Sequence, residues 1–289
     1  MKINVGTYSF GMRNSMSLAD KLKKAAELGY DGIELLANDL KDNTAEDLKK
    51  MCAEAGIEPL SSHVAMDLID EEMLEKFAAI GGKMMIVPSF QFANKAEAIE
   101  LGRQLTEKAE MAEKYGVKIG YHNHTTEFFE DEGKPIIEWT IESTEPGKVW
   151  FQLDCGWATA AGCDCPAFIK KHSGRIISVH VKENNKELGT GTPTSMNTPR
   201  PAFTPPKMGP DGKPIFSEEM KKRMAEMQER TKVQCPMGDP SSRIDWKAIK
   251  AATEAQGFDV AWTVERENDY LNDIVACLGE DVKWLKGNL

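Results

Sequence analysis

Val117-Lys118-Ile119-Gly120-Tyr121-His122-Asn123-His124-Thr125-Thr126-Glu127-Phe128 starts as a short β-branched run and then turns abruptly polar. The first half reads as a buried strand. The second half packs two histidines, an asparagine and a glutamate into six positions, which suits metal binding or proton transfer at a strand end. The bland alternative is a capped loop with surface polar residues. Its surroundings decide between them. Upstream, Lys95 to Tyr115 reads as a long helix stopped by Gly116; downstream, Ile136 to Glu142 reads as a short one.

The same alternation runs outward in both directions. Strands are expected at Ile3–Tyr8, Gly32–Leu36, Ile57–Ser62, Lys83–Val87, the Val117 run, Val149–Leu153, Ile176–Val181 and Val260–Glu265. Helices are expected at 17–28, 44–55, 70–79, 166–172, 244–256 and 272–285, with Ser17 and Thr44 as caps and Gly29 and Gly56 as stops. No neighbouring strands are joined by a tight hairpin turn. Eight strand–helix units in 289 residues predict a parallel sheet closed as a (β/α)8 TIM barrel, a single domain over 1–289. The open doubly wound sheet usually shows a glycine-rich first turn, and Gly6-Thr7-Tyr8-Ser9-Phe10-Gly11 is not one.

One segment breaks the pattern. Residues 184–237, after the seventh strand, hold most of the prolines, and only Ser217–Lys232 reads as helix. So long an irregular stretch is expected to be an insertion that acts as a lid, or a contact for a second copy or a partner subunit. The stripe Met220, Met224 and Met227 reads as packing.

Composition narrows the function classes. Hydrophobic residues at 41% and charged ones at 28% are ordinary for a soluble globular chain. No apolar run reaches membrane-spanning length, and the start of the chain reads as strand rather than signal peptide, so no membrane partner is expected. A net charge of −10 argues against a nucleic-acid partner. Six scattered cysteines without an export signal fit reduced thiols and a cytoplasmic location. Cys163-Asp164-Cys165 has no second Cys/His pair at zinc-finger spacing to make it a metal site.

In a barrel of this kind the chemistry sits at the C-terminal ends of the strands. His63 ends strand three, His122, His124 and Glu127 follow strand five, and Asp154 ends strand six. His180 ends strand seven and Glu265 strand eight. Nitrogen and oxygen donors converging on one mouth suit Mn²⁺, Zn²⁺, Fe²⁺, Co²⁺ or Mg²⁺.

These motifs carry a resemblance. Tyr121–Phe128, Gln152-Leu153-Asp154, His180-Val181-Lys182-Glu183, Ile244–Ile249 and Val264-Glu265 resemble the sugar phosphate isomerase/epimerase family. This is the xylose-isomerase-like barrel superfamily, which also holds inosose dehydratases, ketose 3-epimerases and endonuclease-IV-like enzymes. Gly6-Thr7-Tyr8-Ser9-Phe10 and Ser62-His63 are similar as well, so the resemblance spans the chain except about 184–237. It implies one divalent ion, Mn²⁺ first, held by a Glu, an Asp, a His and a second Glu from four consecutive strand ends. Asp154, His180 and Glu265 match the last three. The first falls to Glu127 reaching back from its loop, with His122 as the rival.

The resemblance further implies metal-assisted removal of a proton α to a carbonyl on a keto-sugar or related polyol, giving isomerisation or epimerisation. His124, His122 or a ligating carboxylate, Glu127 or Glu265, would serve as base. His63, Trp157, Lys182, Arg266 and Tyr8 are the candidates for holding substrate. No glycine-rich phosphate cradle is evident, so an unphosphorylated sugar is at least as good a reading as a phosphorylated one. Loss of a β-substituent would instead make a lyase or hydratase on inososes or 3-keto-glycosides, and a non-enzymatic carbohydrate-binding barrel is the third reading.

Overall fold

The computed structural model describes residues 1–11, 16–199, 207–208 and 214–289. Eight parallel strands close on themselves: β1 (Ile3–Gly6), β2 (Gly32–Leu36), β3 (Glu58–His63), β4 (Met84–Val87), β5 (Lys118–His122), β6 (Val149–Asp154), β7 (Ile176–Val181) and β8 (Ala261–Val264). Each pairs with its chain neighbours, and β1 pairs with β8 to complete the barrel. The expected (β/α)8 barrel is thus the observed one.

Local chemistry explains why the helices begin and end where they do. Asp70, Asn94, Asp164, Asp245 and Asp273 each cap a helix with a side-chain oxygen. Thr44 and Asp47 form a reciprocal capping box, and Gly29 and Gly56 end their helices in the left-handed conformation. Expected and observed boundaries agree within a few residues for most elements. Additional features include a short helix at Ala37–Lys41, another at Cys155–Ala160 directly after β6, and two-residue ribbons pairing Glu130–Asp131 with Lys134–Pro135 and Lys207–Met208 with Pro214–Ile215.

The main core lies between the strands and the surrounding helices. A smaller cluster of Met84, Ile86 and Ile177, with Leu60, Trp150 and Ala261 against it, plugs the lower barrel. Gly120 belongs to this layer: a Cβ there would meet Ile86 Cδ1 at 2.6 Å and the Trp150 carbonyl at 3.2 Å. Above it the facing positions turn polar, with Glu34, His122, Gln152, Ser178 and His180 all buried.

Between β7 and β8 the chain carries a helix at Glu218–Thr231 inside 184–237. Of the prolines expected there, Pro201, Pro205, Pro206 and Pro210 lie outside the described residues. Among the described residues no helix is long and apolar enough to cross a membrane.

Candidate metal centre

Strand register brings the strand ends together. His122 pairs with Gln152, and Asp154 with His180. His180 in turn pairs with Thr263, two positions before Glu265. Asn123 then clips β5 to β6: its Oδ1 accepts the Asp154 N–H at 2.9 Å, and its amide donates to the Asp154 carbonyl at 3.3 Å. Asp154 Oδ1 accepts the Trp157 N–H at 2.7 Å and so caps the helix that follows. Gly156 makes room for Lys182, since a Cβ there would lie 2.5 Å from the Lys182 carbonyl oxygen.

Beneath the strand ends, Glu34 organises a buried relay. One carboxylate oxygen accepts from Ser61 Oγ and Gln152 Nε2, both at 2.8 Å. The other takes His180 Nε2 at 2.8 Å and stands 3.2 Å from His63 Nε2. With its amide nitrogen committed to Glu34, Gln152 turns Oε1 toward His63 Nε2 at 2.8 Å and His122 Nδ1 at 2.9 Å. An amide oxygen only accepts, so His122 carries its proton on Nδ1 and leaves Nε2 as a lone pair. Burial first, then the neighbouring histidines, hold His122 well below its usual pKa and therefore neutral. Burial opposes ionisation of Glu34, but His63 and His180 outweigh it and hold the carboxyl at about 2.

His122, Asp154, His180 and Glu265 bring one donor atom each within 4.8 Å of one another. Asp154 Oδ2 lies 3.9 Å from His122 Nε2 and 3.8 Å from His180 Nδ1, and His180 Nδ1 is 2.7 Å from Glu265 Oε2. Asp154 Oδ2 is fully buried and forms no hydrogen bond, although Lys182 Nζ stands 3.4 Å away. Burial pushes the Asp154 carboxyl up to about 6. A buried carboxylate oxygen without a donor, facing an imidazole lone pair, is where a cation belongs. Two nitrogens and two carboxylates match the preferences of divalent transition ions, so the residues fit the group the strand-end pattern implies. A second trio, His63, His122 and His180, is equally close. There His63 Nε2 already faces Gln152 and Glu34, and no carboxylate belongs to the set.

A cavity of about 830 Å³ opens above these groups, lined by His63, His122, His124, Trp157 and Glu265 among others. Tyr8 lines it too, its phenol pushed up to about 12 by burial and by Glu267. The His124 ring lies 5.0 Å from that of His122 and 6.3 Å from that of Trp157. Burial keeps His124 below its usual pKa, as a neutral imidazole.

Two expected residues stand elsewhere. Glu127 does not join the four-donor group. Its Oε1 accepts from Tyr121 Oη at 2.9 Å, and its Oε2 from the His124 N–H at 2.9 Å and Thr126 Oγ1 at 3.1 Å. It braces the loop, and the structure puts His122 beside Asp154 instead. Arg266 turns away from the cavity and forms a two-pronged buried pair with Asp281 at 2.5 and 2.7 Å. Lys182 does point inward, but its ammonium is taken up by Glu265 at 2.7 Å and Glu267 at 3.2 Å and lies over the Trp157 ring. Glu34, Gln152 and Glu267 are the site residues that the sequence reading assigned no role.

The family profile described as xylose isomerase-like TIM barrel matches residues 22–287. The chain belongs to that family. Solved structures of similar fold include a sugar phosphate isomerase/epimerase from Parabacteroides distasonis, at 19% identity and TM-score 0.73, covering 99% of this chain and 97% of that one. The IolI protein with a bound zinc atom superposes at TM-score 0.68 and 18% identity, over 99% and 97% of the two chains. A D-psicose 3-epimerase does so at 0.64 and 14%, over 99% and 98%. No curated protein matches the chain in sequence. At these identities the solved structures speak for the xylose isomerase-like fold alone.

Proposed function

We propose that this chain is a divalent-metal-dependent isomerase or epimerase acting on a keto-sugar or related polyol by removing a proton α to a carbonyl. The observation that carries it is Asp154 Oδ2, buried without a hydrogen-bond donor between His122 Nε2 and His180 Nδ1, next to the cavity that His122 and Glu265 line. His122, Asp154, His180 and Glu265 would hold the ion. Bound there, an ion supplies Lewis-acid polarisation of a carbonyl oxygen, which acidifies the neighbouring C–H. Mn²⁺, Fe²⁺, Co²⁺ and Zn²⁺ all suit the donors, and the zinc in the solved IolI protein is consistent with that range.

His124 is the proposed base. It is neutral, it faces the cavity beside His122, and its backbone is fixed by Glu127. Glu127 is then a positioning residue. Trp157 offers a flat wall for a sugar ring, and Tyr8 and His63 offer hydrogen bonds to hydroxyls. Sugar epimerases among the solved structures of the same fold, including D-psicose 3-epimerase and L-ribulose 3-epimerase, support this class of chemistry.

The test is proton NMR in D₂O with metal-loaded protein and a panel of ketoses, inososes and 3-keto-glycosides. Exchange of the α-proton with solvent is expected, and the product separates isomerisation from β-elimination. Metal-free protein should show none. Exchange that is absent with every divalent ion, in protein that binds no ion, would sink the proposal.

A further inference from the structure

The described parts of the 184–237 segment are tied to the barrel at two places by buried side chains. On the outbound side, Glu97 accepts hydrogen bonds from Ser195 Oγ, from the Met196 N–H at 3.2 Å and from Asn197 Nδ2 at 3.4 Å. On the return side, Gln234 is 5% exposed and reaches β8's exit. Its Nε2 donates to Glu267 Oε2 at 2.7 Å, and its Oε1 accepts the Glu267 N–H at 3.0 Å. One side chain therefore fixes both the backbone and the carboxylate of Glu267. That carboxylate lines the cavity, 3.2 Å from Lys182 Nζ and 3.4 Å from Tyr8 Oη.

We propose that Glu267 is a specificity-determining residue that selects uncharged polyols over phosphorylated sugars, and that Gln234 is its positioning residue, supplied by the 184–237 segment. The inference rests on reading this cavity as a sugar site. A carboxylate accepts hydrogen bonds and donates none, so its partner in the cavity must be a donor such as a hydroxyl. A phosphate would bring like charge to the same place. Nor do the described residues place spare positive charge on the cavity wall. Lys182 is the one ammonium shared by Asp154, Glu265 and Glu267. Three carboxylates thus share one ammonium. Among the described residues, no lysine or arginine lines the cavity.

This assigns the segment a role in the site: without Gln234, Glu267 loses the amide that aims it. Packing alone would leave substrate choice untouched by the chemistry of Gln234, which makes the two roles separable.

The experiment titrates three probe pairs, followed by saturation-transfer NMR: D-fructose and D-fructose 6-phosphate, myo-inositol and its 1-phosphate, methyl β-D-glucopyranoside and D-glucose 6-phosphate. Wild type is expected to bind at least one neutral member about tenfold tighter than its phosphorylated partner. Glu267→Gln should narrow that ratio about tenfold, chiefly by strengthening the phosphorylated member. Gln234→Met keeps the volume without the amide and should narrow it about threefold. Phosphorylated members binding wild type equally well, no member binding, or an unchanged ratio in Glu267→Gln would each overturn the proposal. Mn²⁺ binding, read by EPR on the same samples, tests the metal centre separately. Protein that binds no Mn²⁺ defeats that reading, while the probe ratio still decides this one.

Discussion

Replacing Glu34 by Gln should weaken metal binding although Glu34 is not among the four donors. The carboxylate serves two sets of donors: Ser61 and Gln152 on one oxygen, His180 and His63 on the other. Glutamine keeps one acceptor and turns the other into an NH₂ group that faces donors. If its oxygen stays with His180, the Gln152 amide meets an NH₂ group and flips. Flipped, Gln152 presents its own NH₂ to His122 Nδ1, now 2.9 Å from its oxygen. His122 must then move its proton to Nε2, the atom that faces Asp154. If the oxygen goes to Gln152 instead, His180 loses the acceptor that orients its Nε2–H.

Either route spoils one nitrogen donor. Loss of such an outer partner typically costs about 10- to 100-fold in metal affinity, roughly 1.4–2.7 kcal/mol. The assay is competition for Mn²⁺ or Zn²⁺ against a fluorescent chelator, with ¹⁵N NMR of the imidazoles to read the tautomers. Ser61→Ala serves as control: it removes one donor to Glu34 and leaves Gln152 in place, so affinity should hold. An affinity of Glu34→Gln within about twofold of wild type, with His122 still protonated on Nδ1, would refute the relay.

Three further outcomes are expected. Elemental analysis should find His122→Ala depleted of metal and Glu127→Ala loaded but less stable, because Glu127 braces its own loop; the reverse pattern would restore Glu127 as ligand. Metal uptake at pH 7 should release about one proton. Burial alone would lower His180, but Glu34 and Glu265 raise it to about 10, so the empty site holds an imidazolium whose Nδ1 proton must leave; affinity then rises with pH below that value. Calorimetry in two buffers of different ionisation enthalpy reads the proton count, and zero release would contradict it. Arg266→Ala should strand Asp281, whose carboxyl burial already pushes up, costing about 3–5 kcal/mol and lowering the melting temperature by roughly 10 °C. Unchanged melting with weakened substrate binding would instead put Arg266 at the cavity.

How much of this was legible in the sequence depends on which face of a strand each residue takes. The barrel was legible because alternating β-branched runs and capped helices repeat over almost the whole chain. Asp154 and His180 were legible because Asp154 closes such a run and His180 stands one place from the end of another. Glu34 was not: Gly32-Ile33-Glu34-Leu35-Leu36 reads as a strand with one polar residue, and the register shift between Ile33 and Glu34 that accompanies its inward position has no mark in the letters. The rivalry of His122 and Glu127 was equally beyond spacing, because it is resolved by the Tyr121 hydroxyl and two loop donors closing on Glu127.

The alternation rule had more to give at the last two strands. Side chains of successive residues point to opposite faces as long as the chain stays extended. His180 facing the barrel interior therefore predicts Val181 outward and Lys182 inward, and Lys182 is indeed found beside Asp154. The same rule applied past β8 puts Glu265 inward, Arg266 outward and Glu267 inward. Arg266 is found on Asp281 of the final helix, and Glu267 lines the cavity. Choosing Arg266 as a substrate contact followed its charge and ignored its parity. Parity followed consistently would have passed over Arg266 and picked out the carboxylate beside it, the one of the two that lines the cavity.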